Sequence, residues 1–127
     1  MLPFPIQLQA GEPLYEQIVH AVKRARATGH LKPGDRFPAV RTISAELHIN
    51  PNTVQKAVSF LVAEGVLEIR SGKGSFVAAA APLDRREQMR VLEPLVEKLL
   101  IEASRLGLEE EELQAFIAKQ ARKMKRL

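Results

Sequence analysis

Between Asn50 and Lys56 the chain reads N-P-N-T-V-Q-K, which puts two asparagines, a threonine, a glutamine and a lysine within seven residues. Amides, hydroxyls and an ammonium are the groups that meet the donors and acceptors on base edges in a major groove. A second cluster, Gly72-Lys73-Gly74, sets one cation between two residues without side chains, where backbone can approach a polyanion closely. Both lie in stretches cleared of carboxylates. Residues 47–63 contain no acid, and neither do residues 69–83, which also hold Arg70. Such surfaces suit phosphates, because each phosphate neutralised by Lys or Arg releases counterions. The net charge, +4 from 19 Lys+Arg and 15 Asp+Glu, leans the same way. Residues 1–78 carry nine basic and six acidic side chains, residues 79–127 ten and nine.

Other chemistries find no residues. The chain has no cysteine, which excludes disulfides, Cys-containing zinc sites and thiol catalysis, and fits a reducing compartment. His20, His30 and His48 lack paired spacing for a metal and read as single surface or packing histidines. Gly72-Lys73-Gly74 is no phosphate loop, since it does not lie between a strand and a helix. The acids 109–112 open a helix that closes with Lys119, Arg122, Lys123, Lys125 and Arg126, so the run complements a helix dipole and is no catalytic pair. The expectation is no enzyme, no metal and no cofactor. The first residues show neither a basic leader nor a long apolar run, and the longest apolar stretch, 76–82, is too short to span a bilayer. A soluble, cytoplasmic protein with no membrane partner is expected.

The elements that must position these groups follow from Gly, Pro and periodicity. Pro3 and Pro5 make residues 1–12 an extended arm. Leu14, Ile18, Val22 and Ala25, with Tyr15 and Val19 beside them, predict a helix that opens at Pro13 and stops at Thr28-Gly29. After the turn Lys32-Pro33-Gly34-Asp35, a second helix runs from about Ala39 to Leu47 with Val40, Ile43 and Leu47 inward. Asn50 then caps a third helix that has Pro51 at its first position and ends at about Glu64-Gly65. Val54, Ala57, Val58, Leu61 and Val62 form its apolar face, and Asn52, Gln55, Lys56 and Ser59 its polar one. The free N–H groups and positive dipole at its start suit a backbone phosphate. Strands at 66–70 and 75–77 flank a tight turn at 71–74. Residues 78–83 read as a linker.

The last third differs in character. Met89, Leu92, Val96, Leu99, Leu100, Ala103 and Leu106 form one apolar stripe ended by Gly107, and a final helix starts near Leu108. Pro94 either kinks the longer helix or marks its start. Two such helices cannot bury these faces alone, so a partner is expected. The fold class is mainly α: a winged helix-turn-helix with a two-stranded wing over 13–78, followed by two C-terminal helices over 79–127.

The runs PLYEQI, PGDRFPAVR, NPNTVQKAVSFLVAEG and VLEIRSGKGSFV together resemble the GntR family of bacterial transcription regulators over residues 13–77. The 50 residues that follow are few for a large effector domain, and length speaks against an aminotransferase fusion. SRLGLEEEELQAFI resembles the YtrA subfamily, whose short C-terminal segment dimerises. The resemblance implies a homodimeric repressor of an inverted-repeat, double-stranded operator, often in its own operon and often one encoding an ABC transporter. It places Arg41 as a DNA-contacting arginine; the other reading pairs Arg41 with Glu46. It places Asn50, Pro51, Asn52, Thr53, Gln55 and Lys56 at the start of the recognition helix, and Gly72 and Lys73 at the wing tip. Asn50 also caps, Thr53 is partly structural, and Gly74 serves the turn. Leu92, Val96, Leu99, Leu100 and Ala103, with Leu113, Phe116 and Ile117, would form the dimer contact. Ala39 replaces the family's usual serine cap, and Pro51 and Gln55 stand where relatives often carry arginines, so base preference rests on amides. Any small-molecule effector stays unidentified. A protein-interaction adaptor and a sequence-neutral architectural DNA binder remain as other readings.

Overall fold

A computed structural model describes residues 1–125. It contains helices α1 (Leu14–Thr28), α2 (Val40–Leu47) and α3 (Pro51–Ala63), strands β1 (Leu67–Arg70) and β2 (Gly74–Val77), and helices α4 (Arg85–Arg105) and α5 (Glu110–Lys125). The chain divides into two compact units, Met1–Ala80 and Ala81–Leu127. Among the described residues no helix is long and apolar enough to cross a membrane.

In the first unit, α1, α2 and β1 all pack on α3. The helical period of α3 puts Val54, Ala57, Val58 and Leu61 on one buried face. Ile18, Val22 and Ala25 of α1, Ile43 of α2 and Leu67 of β1 close the core around them. The turn between α2 and α3 is tied by Ser44, whose hydroxyl donates to the Ile49 carbonyl at 2.5 Å while its own carbonyl accepts from Ile49 N–H at 3.2 Å. His48 takes the left-handed backbone there, with φ of 55°.

Element ends differ from the sequence expectation by a residue where capping decides. Ala39 is the N-cap of α2 and gives no side-chain bond, so the helix begins at Val40. Glu64 is the C-cap of α3, and the turn at Gly65 (φ 77°) leaves Val66 ahead of β1. Gly74 belongs to β2 because it pairs with Arg70 while holding φ of 104°. The two strands are antiparallel, Leu67 facing Val77 and Glu68 facing Phe76. The segment after Gly34 runs beside β2, with an Arg36–Phe76 bridge and Phe37 N–H donating to the Ser75 carbonyl at 2.9 Å.

The arm is docked along its first half. Phe4 is 3% exposed and stacks on Phe37, ring centroids 5.7 Å apart and planes 5° from parallel. Further on, the Gln17 side chain donates to the Gln9 carbonyl at 2.9 Å and accepts from Gln9 N–H at 2.8 Å.

In the second unit α4 starts at a capping box. Asp84 Oδ1 accepts from Glu87 N–H at 2.8 Å, and Glu87 Oε1 from Asp84 N–H at 3.4 Å. The helix runs on through Pro94, which therefore does not mark its start; the proline lacks the N–H of its turn and its ring crowds the carbonyl one turn back. Gly107 takes φ of 80° between the two helices. α5 opens with Glu110, Glu111 and Glu112 and closes with Arg122, Lys123 and Lys125; Arg126 of the basic run lies outside the described residues. Ala103 and Leu113 are buried, whereas Leu92, Val96, Leu99, Leu100, Phe116 and Ile117 are all more than 40% exposed.

The docked arm makes a measurable claim. Phe4→Ala removes a buried ring and is expected to cost about 3 kcal/mol, the low end for a large aromatic. Urea denaturation checks it. An unchanged midpoint would mean that the arm adds nothing to the fold.

Candidate nucleic-acid interface

The start of α3 is built around Asn50. Its Oδ1 accepts from Asn52 N–H at 2.8 Å, and its carbonyl accepts from Thr53 N–H at 3.0 Å and Val54 N–H at 3.3 Å. Pro51 has no N–H to offer. The N–H groups of Asn52, Thr53 and Val54 are all taken by Asn50, so the donors inside the first turn of α3 are engaged and not free as the sequence suggests. The dipole's positive end is still there, but a phosphate at this end would have to be met by side chains. The Asn50 amide nitrogen and the Asn52 side chain make no hydrogen bond among the described residues.

Opposite the buried stripe, Asn52, Gln55, Lys56 and Ser59 are exposed. Gln55 Nε2 donates to Ser59 Oγ at 3.1 Å, which lays the amide along the helix. Lys56 is held by a neighbour: its Nζ lies 4.0 Å from the centroid of the Tyr15 ring in the first turn of α1. The Tyr15 hydroxyl donates to Glu16 Oε1 at 3.2 Å. The Glu16 carboxylate raises the phenol's pKa above its usual value, first by its charge and then by accepting that bond. Pro13, Leu14, Tyr15, Asn52, Thr53 and Lys56 line one open cleft where α1 begins beside α3.

The remaining candidates lie outside this cleft. Arg41 is exposed in the first turn of α2. It does not pair with Glu46, whose carboxylate takes the Met1 amine at 2.6 Å. Gly72 (φ 71°) and Lys73 stand exposed at the hairpin turn, with Lys73 N–H donating to the Arg70 carbonyl at 2.9 Å. Among the described residues no group of three His, Asp or Glu could hold a metal ion.

Sequence reasoning placed Tyr15 only beside the α1 stripe. Its ring under Lys56 joins two helices across a long stretch of chain, a contact that no local pattern signals. The hairpin hid a second feature, Arg36 and Arg70 gathered on Phe76, and strand register was the signal that would have found it.

A family model described as "Bacterial regulatory proteins, gntR family" matches residues 14–77. The HTH-type transcriptional repressor YtrA of Bacillus subtilis (strain 168) is 34% identical over 113 residues, covering 88% of this chain and 87% of that protein. A solved structure described as a transcriptional antiterminator from Listeria monocytogenes EGD-e superposes with a TM-score of 0.80 at 26% identity, covering 96% of this chain and 92% of that one. AraR(DBD) in complex with operator ORR3 superposes with a TM-score of 0.51 at 26% identity, over 58% of this chain and 89% of that one.

The lysine–tyrosine contact can be weighed directly. A double-mutant cycle with Tyr15→Leu and Lys56→Met, read by urea unfolding, is expected to give a coupling of about 0.5–1 kcal/mol. Additive effects would show that the ring does not hold the ammonium.

Proposed function

The chain belongs to the GntR family of bacterial regulatory proteins, and from that premise we propose that it is a homodimeric repressor whose two winged helices read an inverted-repeat operator. It is a DNA-binding transcription regulator and not an enzyme, as its relatives are. The observation that carries the finer reading is the exposed face of α3: Asn52, Gln55 and Lys56 stand in a stretch, 47 to 63, that holds no carboxylate. In this reading Asn52, Thr53 and Gln55 address base edges, and the Asn50 amide nitrogen and Lys56 meet the backbone. Arg41 adds a phosphate contact from α2, and Pro51 fixes the helix start so that the amides are presented in one register. Gly72 and Lys73 bring the hairpin turn to the neighbouring groove.

The partner for the second unit is a second copy. Leu92, Val96, Leu99 and Leu100 of α4 and Phe116 and Ile117 of α5 present apolar surface that the helical pair leaves open. Ala103 and Leu113 are themselves buried and so are not offered to a partner. Two-fold symmetry of the protein then asks for half-sites about one helical turn or a multiple apart. The first place to look for the operator is upstream of the chain's own gene, and after that in operons that encode ABC transporters.

Fluorescence anisotropy at near-physiological salt tests the reading. DNA from upstream of the gene is expected to bind roughly a thousandfold more tightly than a scrambled duplex of equal length. Charge reversal of Lys56 and Lys73 together should abolish that binding. Equal affinity for both duplexes, falling steeply with salt, would favour an architectural binder, and no binding to either would favour a protein adaptor.

The dimer has its own test. Leu99→Asp is expected to give monomers in sedimentation and to weaken operator binding sharply, since the second half-site would no longer be held near the first. A Leu99→Asp protein that still sedimented as a dimer would refute the C-terminal interface.

A further inference from the structure

The hairpin carries a charged cluster on the face turned away from the core. Leu67 and Val77 are buried on one side of the two strands. Alternation puts Glu68, Arg70 and Phe76 on the other, with Glu68 directly across from Phe76. Arg36 joins them through its bridge to Phe76. The ring of Phe76 is half-buried under two guanidinium groups, Arg70 Cζ at 4.1 Å from its centroid and Arg36 Cζ at 5.8 Å. Lys73 follows three residues after Arg70, at the turn. Glu68 is the one acid from 65 to 83.

That acid occupies a particular edge of Arg70. Its Oε1 accepts from Arg70 Nε at 3.2 Å and from Nη2 at 2.8 Å, while both side chains stay 46% exposed. Nε and one terminal nitrogen form a fork that also fits two oxygens of a phosphate. An ion pair this exposed is worth little, so exchanging the carboxylate for a phosphodiester costs little. Stacking on Phe76 keeps the guanidinium plane in place through the exchange.

We infer that the Arg36–Phe76–Arg70 face of the hairpin is a second contact surface for DNA backbone phosphate, with Glu68 as a built-in competitor for the phosphate-gripping edge of Arg70. This rests on the proposed DNA-binding mode and extends it beyond α3 and the turn. Phe76 is a positioning residue, and Arg70 and Arg36 make the contacts. Glu68 holds backbone affinity down on any sequence, so a larger share of operator binding is left to the amides of α3.

The test uses the full chain, DNA from upstream of its gene and a scrambled duplex, with affinities measured by anisotropy across a salt series. Glu68→Gln is expected to bind both duplexes about two- to fivefold more tightly, the range an exposed pair can yield. Its plot of log affinity against log salt should steepen by part of the roughly 0.9 that one full phosphate contact contributes. Arg70→Ala should flatten the slope by the remainder of that one contact, and Arg36→Ala should weaken binding in the same direction. Arg70→Lys, which keeps the charge and loses the fork, should fall between Arg70→Ala and the parent. The deciding result is the double variant: Glu68→Gln should give no gain once Arg70→Ala is also present. An equal gain in that background would mean that Glu68 acts by general repulsion, and would overturn the inference. So would a Glu68→Gln protein indistinguishable from its parent. If the parent binds neither duplex, the DNA-binding reading fails and this inference falls with it; if the parent binds and the variants do not differ from it, only this inference fails.

Discussion

Everything in the first unit hangs on one helix having to serve three neighbours. α3 gives a single stripe, Val54, Ala57, Val58 and Leu61, to contacts with α1, α2 and β1, and all four residues are buried. Once that stripe is committed, the helical period fixes which side chains face outward. Asn52, Gln55, Lys56 and Ser59 are not free to be anywhere else. A polar substitution in the stripe would do more than open a cavity, because α1, α2 and the hairpin would lose their common support. The same constraint fixes the geometry in which that face presents its amides, whatever they contact.

Much of this was legible in the chain, for reasons that differ from element to element. α1 and α3 show because Pro13 and Asn50-Pro51 start them, Gly29 and Gly65 stop them, and their apolar spacing is helical. The hairpin shows because Gly72 and Gly74 sit where positive φ is required. The start of α4 was there to be read as well. Asp84 and Glu87 have capping-box spacing, which satisfies two N–H groups and sets the helix start ahead of Pro94. Tertiary partnerships are another matter. Phe4 looks like part of a loose arm until Phe37, far along the chain, supplies a ring to stack on. Lys56 looks like a free cation until Tyr15 comes under it. The orphan N–H groups of α3 look available until the Asn50 carbonyl and side chain are both seen to take them. Periodicity shows which face is exposed and says nothing of which exposed group already has a partner.

Charges on the first unit are placed by aromatic rings more than by acids. Lys56 lies on Tyr15, Arg70 and Arg36 on Phe76, and Lys23 lies 5.7 Å from the Phe60 ring while also pairing with Glu64. A ring fixes where a cation sits without neutralising it, whereas a carboxylate does both. A surface that must hold cations ready for an external anion is better served by rings, since the field toward solvent is kept. Glu68 is the exception on the hairpin, and it marks the place where position and neutralisation are combined.

The sparseness of that surface bears on why a second unit is attached. Lys56 is the one cation on the outward face of α3, with Arg41 and Lys73 set apart on α2 and the turn. A handful of phosphate contacts gives weak binding that fades with salt, and amide contacts to bases mostly discriminate between sequences, adding little to bulk attraction. In the proposed binding mode one such unit is a discriminating reader with a poor grip. Joining two readers through an apolar interface multiplies affinity through effective concentration and leaves the surface of each reader unchanged. In the proposed dimer the exposed apolar residues of α4 and α5 would be that interface, and they lie outside α3 and the hairpin. Under that proposal selectivity and grip would be set by different residues, and either could change without disturbing the other.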